Sequence, residues 1–233
     1  MRAIMRKELR EMRRKTSIVL TMAIVPLVFL VQPLVAVFGL SASSAPELAR
    51  AHIMLFMLGI PAIAPAFLAS FAVVGEREQG TLEPVLGTPI RREELLLGKA
   101  VAALLPSLGV AYGVFAIFVV VVRLFADPLV ASAILPWQQI VIQVLFTPPI
   151  ALLSIWLSMA ISARATDVRV AQQLGTLVGL PVVFLAALIA NDIIHATAKL
   201  AVLAAAVLVM LDVAALRFVS ATFNRERLIT NTR

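Results

Sequence analysis

The chain has 233 residues, of which 61% are hydrophobic and only 14% charged. Soluble domains carry about 25% charged residues, so a chain this apolar takes lipid as its main solvent. It has no cysteine, which excludes disulfides and thiolate metal sites, and its net charge of +7 is placed in a way that points to membrane orientation and not to nucleic acid.

The N-terminal segment, residues 1–16, reads as an amphipathic helix. Met1, Ile4, Met5, Leu9 and Met12 recur at helical spacing, while Arg2, Arg6, Lys7, Arg10, Arg13 and Arg14 lie mostly off that stripe. Such a helix lies in the headgroup plane, apolar side down and basic groups near anionic phosphates. The apolar run that follows is longer than a signal h-region, so no cleavable leader is expected.

A membrane-crossing helix needs about 20 predominantly apolar residues. Six stretches qualify: 17–40, 53–74, 100–122, 135–161, 170–190 and 200–216. The first five lack Asp, Glu, Lys and Arg, and the sixth holds Asp212. The blocks are continuous, whereas strands of a membrane barrel alternate over roughly ten residues. The expected fold class is therefore an all-α membrane protein, six transmembrane helices preceded by an interfacial elbow helix. Residues 17–218 form the membrane domain and 219–233 a tail. Of the 20 Lys and Arg residues, all but Arg50, Arg123 and Lys199 then fall on the side of the N-terminus. That bias predicts a cytoplasmic-membrane protein with both termini in the cytoplasm.

The loop at 75–99, on that basic side, is far more patterned than a connector. Glu76-Arg77-Glu78 closes the second apolar stretch, and Gly80 suits a chain reversal because glycine takes positive φ without strain. Thr81 is a good N-cap for a short helix over 82–86, Pro84 is tolerated in its first turn, and Gly87 stops it. Thr88-Pro89 starts a second helix, which runs through Leu95 into the third stretch. The short helix displays Leu82, Val85 and Leu86 from a charged loop. Apolar side chains so placed need a partner groove, a lipid surface or their own bundle to cover them.

The string Glu76-Arg77-Glu78-x-Gly80-Thr81-Leu82-Glu83, followed by Thr88-Pro89-Ile90-x-Arg92-x-Glu94-Leu95-x-x-Gly98-Lys99, resembles the coupling-helix motif of type 2 ABC transporter permeases. Lys7-Glu8-Leu9 at the elbow position is similar to them too, and Pro84-Val85 departs from their longer aliphatic run. The resemblance implies the permease of an exporter. Two permease copies, identical or closely related, would join two copies of a separate ATPase that binds ATP and Mg. Glu76, Glu78, Gly80, Thr81, Leu82, Glu83, Val85 and Leu86 would form the ATPase-coupling element. An ion-coupled secondary transporter and a membrane scaffold or assembly factor are the alternatives. The former would need intramembrane carboxylates, of which only Asp212 is present.

No catalytic residue, bound cofactor or metal site is expected in this chain. Gly98-Lys99-Ala100 is the nearest approach to a P-loop, and it lacks both the Ser/Thr and the upstream glycine. His52 and His195 have no supporting carboxylates. Within the spans, Pro61 with Pro65 and Pro148 with Pro149 are read as bends along a pathway. Asp212 is expected to pair with Arg217 or another basic residue near the inner interface. Gly109/Gly113 and Gly175/Gly179 have the spacing of close helix contacts, the latter either within the chain or at a dimer contact.

Overall fold

The computed structural model describes residues 16–39, 52–72, 74–78, 80, 92–191, 193–195 and 197–222. Every regular element among them is a helix. In chain order these are α1 (Thr16–Gly39), a 3-10 segment (Ile53–Leu58), α2 (Gly59–Ala69), a 3-10 turn (Ser70–Ala72) and α3 (Val74–Glu78). They are followed by α4 (Arg92–Phe125), α5 (Pro128–Ile134), α6 (Trp137–Arg164), α7 (Val168–Leu177), α8 (Leu180–Ala190) and α9 (Ala198–Thr222). Among the described residues, five helical segments are long and apolar enough to cross a bilayer: Ile53–Glu76, Glu94–Phe125, Trp137–Arg164, Val168–Ala190 and Ala198–Ser220. The chain is a multi-pass membrane protein. In α1 the apolar stretch Pro26–Gly39 is shorter.

Local chemistry explains where these helices begin and end. Asp127 caps α5, its Oδ1 accepting from the Leu129 N–H at 2.8 Å, with Pro128 in the first turn, where no N–H is needed. Asp167 caps α7 in the same way through the Val170 N–H at 2.9 Å. α4 is 34 residues long, about 50 Å, which exceeds a hydrocarbon core of about 30 Å. From Arg92 it runs without interruption into the third apolar stretch, and the expected helix start at Thr88-Pro89 lies outside the described residues.

The core lies between α2, α4 and α6, with Met57, Ile60, Leu96, Phe118, Ile155 and Met159 all nearly inaccessible. Lipid tails are as apolar as these side chains, so dense van der Waals packing, not withdrawal from water, holds them together. Small residues let α2 sink into the middle: Ala62, Ala64, Ala66 and Ala69 are buried against α1, α4, α6 and α7.

Two of the spans are not single α-helices. Ile53–Glu76 passes from 3-10 to α, back to 3-10 and then to α3. Val168–Ala190 tightens at Val178 and Gly179 between α7 and α8, where Pro181 has no N–H to offer the Leu177 carbonyl. By contrast, α-helix continues across Pro65 in α2 and across Pro148-Pro149 in α6.

Candidate functional site

The described residues around the root of the 81–91 loop are tied together by several side-chain contacts. The first tie is made by Ser162, near the end of α6. In an unbroken helix the Val74 N–H would donate to the Ser70 carbonyl. Instead the Ser162 hydroxyl stands between them: its Oγ donates to the Ser70 carbonyl at 2.6 Å and accepts from the Val74 N–H at 3.1 Å. A side chain inserted into the ladder opens the helix while leaving no backbone group unsatisfied. All of this is sealed, since Ser70 and Ser162 are fully buried.

The next ties follow within one turn. Glu76 on α3 and Lys99 on α4 form an ion pair, Nζ to Oε1 2.7 Å, with both side chains almost wholly buried. The pair joins the two ends of the loop motif. Two residues on, Glu78 Oε1 accepts from the Val168 N–H at 3.0 Å. Val168 opens α7, so a carboxylate from the loop root sits on a helix N-terminus, where the backbone dipole favours negative charge. Gly80 then takes φ +66°, a conformation that glycine adopts without strain, with open space where a Cβ would stand. Three segments that are distant in sequence are thereby fastened to one base: Ile53–Glu76, α4, and the junction of α6 with α7.

Of the residues expected to couple, Glu76, Glu78 and Gly80 belong to this base. Thr81, Leu82, Glu83, Val85 and Leu86 lie outside the described residues, as do the N-terminal stripe and the tail from 223.

The paired glycines separate clearly. A Cβ on Gly175 would meet Ser158 Oγ at 3.1 Å and Ala66 Cβ at 3.3 Å, and one on Gly179 would meet the Ala62 carbonyl oxygen at 2.9 Å as well as Ile63. Both glycines therefore serve close packing of α7 and its junction against α2 within the chain. Gly109 and Gly113 have nothing within 4 Å of the equivalent position and lie on an open face of α4.

Pro148 removes the donor that Val144 would have used. That carbonyl accepts instead from the Tyr112 hydroxyl of α4 at 2.9 Å. Tyr112 is the only tyrosine in the chain, and its distance from Val144 in sequence hid the pairing. At the opposite end of the bundle, Gln139 Nε2 meets His52 Nδ1 at 2.8 Å, and His52 itself takes φ +45° where the chain enters the 3-10 segment. Asp212 does not pair with Arg217. Five residues apart on a helix, they point about 140° away from each other, and Asp212 Oδ1 receives no hydrogen bond from the described residues.

The sequence reading singled out neither Ser162 nor Tyr112. For Tyr112 a signal existed, because Pro148 necessarily frees a carbonyl four residues earlier. For Ser162 there was none, because inserting into another helix's ladder leaves no local pattern.

Comparison with curated proteins returned no match. A family model described as ABC-2 family transporter protein matches residues 2–221, nearly the whole chain. With its multiple membrane-crossing helices and that match, the chain belongs to the ABC-2 family of transporter proteins, which are membrane transport subunits and not the ATPases.

Proposed function

We propose that this chain is the permease of an ATP-driven exporter and that the segment 75–99 is its mechanical contact with a separate ATPase. In this reading α1 completes six spans, residues 1–16 form the elbow helix, and both termini are cytoplasmic. Two copies of the permease, or one with a close paralogue, bind two copies of the ATPase, which holds ATP and Mg. The membrane helices supply the path for the substrate.

One observation carries the reading. The loop is rooted in a buried ion pair, Glu76 with Lys99, and in a carboxylate that caps α7, Glu78 to Val168. A plain connector has no need of such a base, whereas a lever does. A force that reaches the loop root passes through Glu76 to α4 and through Glu78 to α7. Because α7 packs against α2 through Gly175 and Gly179, movement at its start is passed into the core.

The test is to replace Leu82 and Leu86 together with Ala in the full complex and to measure ATPase co-purification and transport side by side. Truncating interface anchors costs up to a few kcal/mol, so association weakens by about tenfold or more, or the ATPase stays bound and hydrolysis no longer drives transport. Thr81→Ala, which removes only a helix cap, costs about 1 kcal/mol and has the smaller effect. Wild-type association and wild-type transport in the double alanine variant would show that the loop merely caps its own bundle.

A further inference from the structure

A cavity of about 480 Å³ opens on the flank of the molecule between α6, α7 and α9, at the same end as the loop root. Its walls are apolar: Leu157 and Ile161 from α6, Leu174 from α7, Val178 at the junction, and Phe218 from α9. One cation stands among them. Arg164, at the last turn of α6, is exposed, and its guanidinium lies over the Phe218 ring at 5.5 Å from the centroid. No carboxylate among the described residues pairs with it. The nearest in sequence, Asp167, has Oδ1 engaged by the Val170 N–H, and the exposed Arg169 and Arg217 add further positive charge at this end.

The shape has a direction. From Arg164 back to Leu157 is seven residues, about 10 Å along α6. One leaflet of hydrocarbon is about 15 Å deep. The slot therefore starts at the end of a span, where an arginine meets headgroups, and runs along the helix into the hydrocarbon. A soluble anion would use the arginine and leave the apolar walls empty. A neutral hydrocarbon would fill the walls and ignore the arginine.

We infer that this cavity binds an acidic phospholipid of the leaflet in which Arg164 lies. The phosphate takes charge-assisted hydrogen bonds from the guanidinium, whose planar fork suits it, and an acyl chain lies along Leu157, Ile161, Leu174 and Val178. The site is separate from the loop contact proposed above and does not depend on it. Since the walls come from α6, α7 and α9, a lipid held there bridges helices whose mutual positions any movement of α7 must change.

The test uses native mass spectrometry of the detergent-purified full chain, equilibrated with equal amounts of phosphatidylglycerol and phosphatidylcholine. Wild type retains phosphatidylglycerol preferentially. Arg164→Gln lowers that preference about fivefold, the effect of one basic group near an acidic headgroup, while Arg164→Lys keeps most of it. Leu174→Trp fills the slot from its exposed side and lowers retention of both lipids. Thermal unfolding at the wild-type temperature confirms that each variant is folded. Three results would each overturn the proposal: equal retention of the two lipids by wild type, an unchanged preference in Arg164→Gln with unchanged retention in Leu174→Trp, or displacement of phosphatidylglycerol by millimolar inorganic phosphate.

Discussion

The segment Ile53–Glu76 and helix α9 have nearly the same mean hydropathy, and a hydropathy scan treats them alike. In the molecule they are opposites. Met57, Ala64 and Val74 of the first have no accessible surface, whereas Val202, Leu203 and Met210 of the second are more than 60% exposed. The first changes helix type repeatedly along its length; the second is α throughout. Where solvent and core are equally apolar, apolarity does not assign a helix to either. What places Ile53–Glu76 at the centre is its run of Gly, Ala, Pro and Ser, which admits neighbours closely, and the Ser162 hydroxyl that reaches in to complete its backbone. Helix α9 meets the rest along one side, through Ala215 and Val219, and turns its larger residues outward.

The comparison is broken most severely by removing one charge at the root of the loop. Lys99→Met leaves Glu76 buried without its ion partner, and losing one member of such a pair typically costs about 3–5 kcal/mol. The expected result is a large fall in thermal stability and in the yield of assembled protein. The double variant Glu76→Met with Lys99→Met recovers much of the stability, because two apolar residues leave no uncompensated charge. If that double variant folds but does not transport, the pair is a lever. Normal transport would make it a structural tie only.

A second break is steric. Gly179→Leu drives a side chain into the backbone of Ala62, which cannot yield as a flexible side chain would. Overpacking of this kind costs about 1–3 kcal/mol and occasionally more. Gly109→Leu serves as the internal control, since its added atoms meet open space and leave unfolding almost unchanged. Comparable losses in the two variants, read by thermal unfolding in detergent, would contradict the packing assigned to α7 and α2.

Smaller effects sharpen the comparison. Ser162→Ala removes the hydroxyl between Ser70 and Val74; the helix must close its ladder or leave both groups buried and unsatisfied, at a cost of about 1–3 kcal/mol. Backbone hydrogen exchange at Val74 reports which: protection retained means the helix has straightened, and rapid exchange means the gap persists. Tyr112→Phe deletes the hydroxyl that donates to the Val144 carbonyl and costs about 1 kcal/mol. Least of all, Val202→Leu on the outward face of α9 changes stability by no more than about 0.5 kcal/mol. A loss at Val202 as large as that at Tyr112 would mean that this face is covered by protein and not by lipid.

Part of the loop root was legible in the sequence. Glu76, Glu78 and Gly80 stood out because alternating charge followed by glycine is a local pattern, and the φ of +66° at Gly80 is the conformation that pattern asks for. The partners of these residues were not legible. Lys99 lies across the whole loop from Glu76, Val168 is 90 residues from Glu78, and an ion pair or a borrowed helix cap leaves no trace in the spacing of either strand of sequence. Prolines are legible only in part, for a related reason. A proline states that a carbonyl is freed, as at Val144, but whether the helix bends depends on what answers that carbonyl.

By itself, then, the sequence determined the solvent of this protein, its helical class, the approximate extent of its apolar segments and the position of its patterned loop. Each of these follows from properties of consecutive residues: apolar length against bilayer thickness, and capping and turn chemistry within a few positions. Only the tertiary structure decided which apolar helix is central and which faces outward, that Gly175 and Gly179 serve α2 within the chain, that Ser162 completes a helix other than its own, and that Arg164 stands at the mouth of an apolar slot. The reason is physical. In a membrane every span must be apolar whatever it touches, so the information that separates core from surface lies in a few small and polar side chains, and these act only when another helix is brought against them.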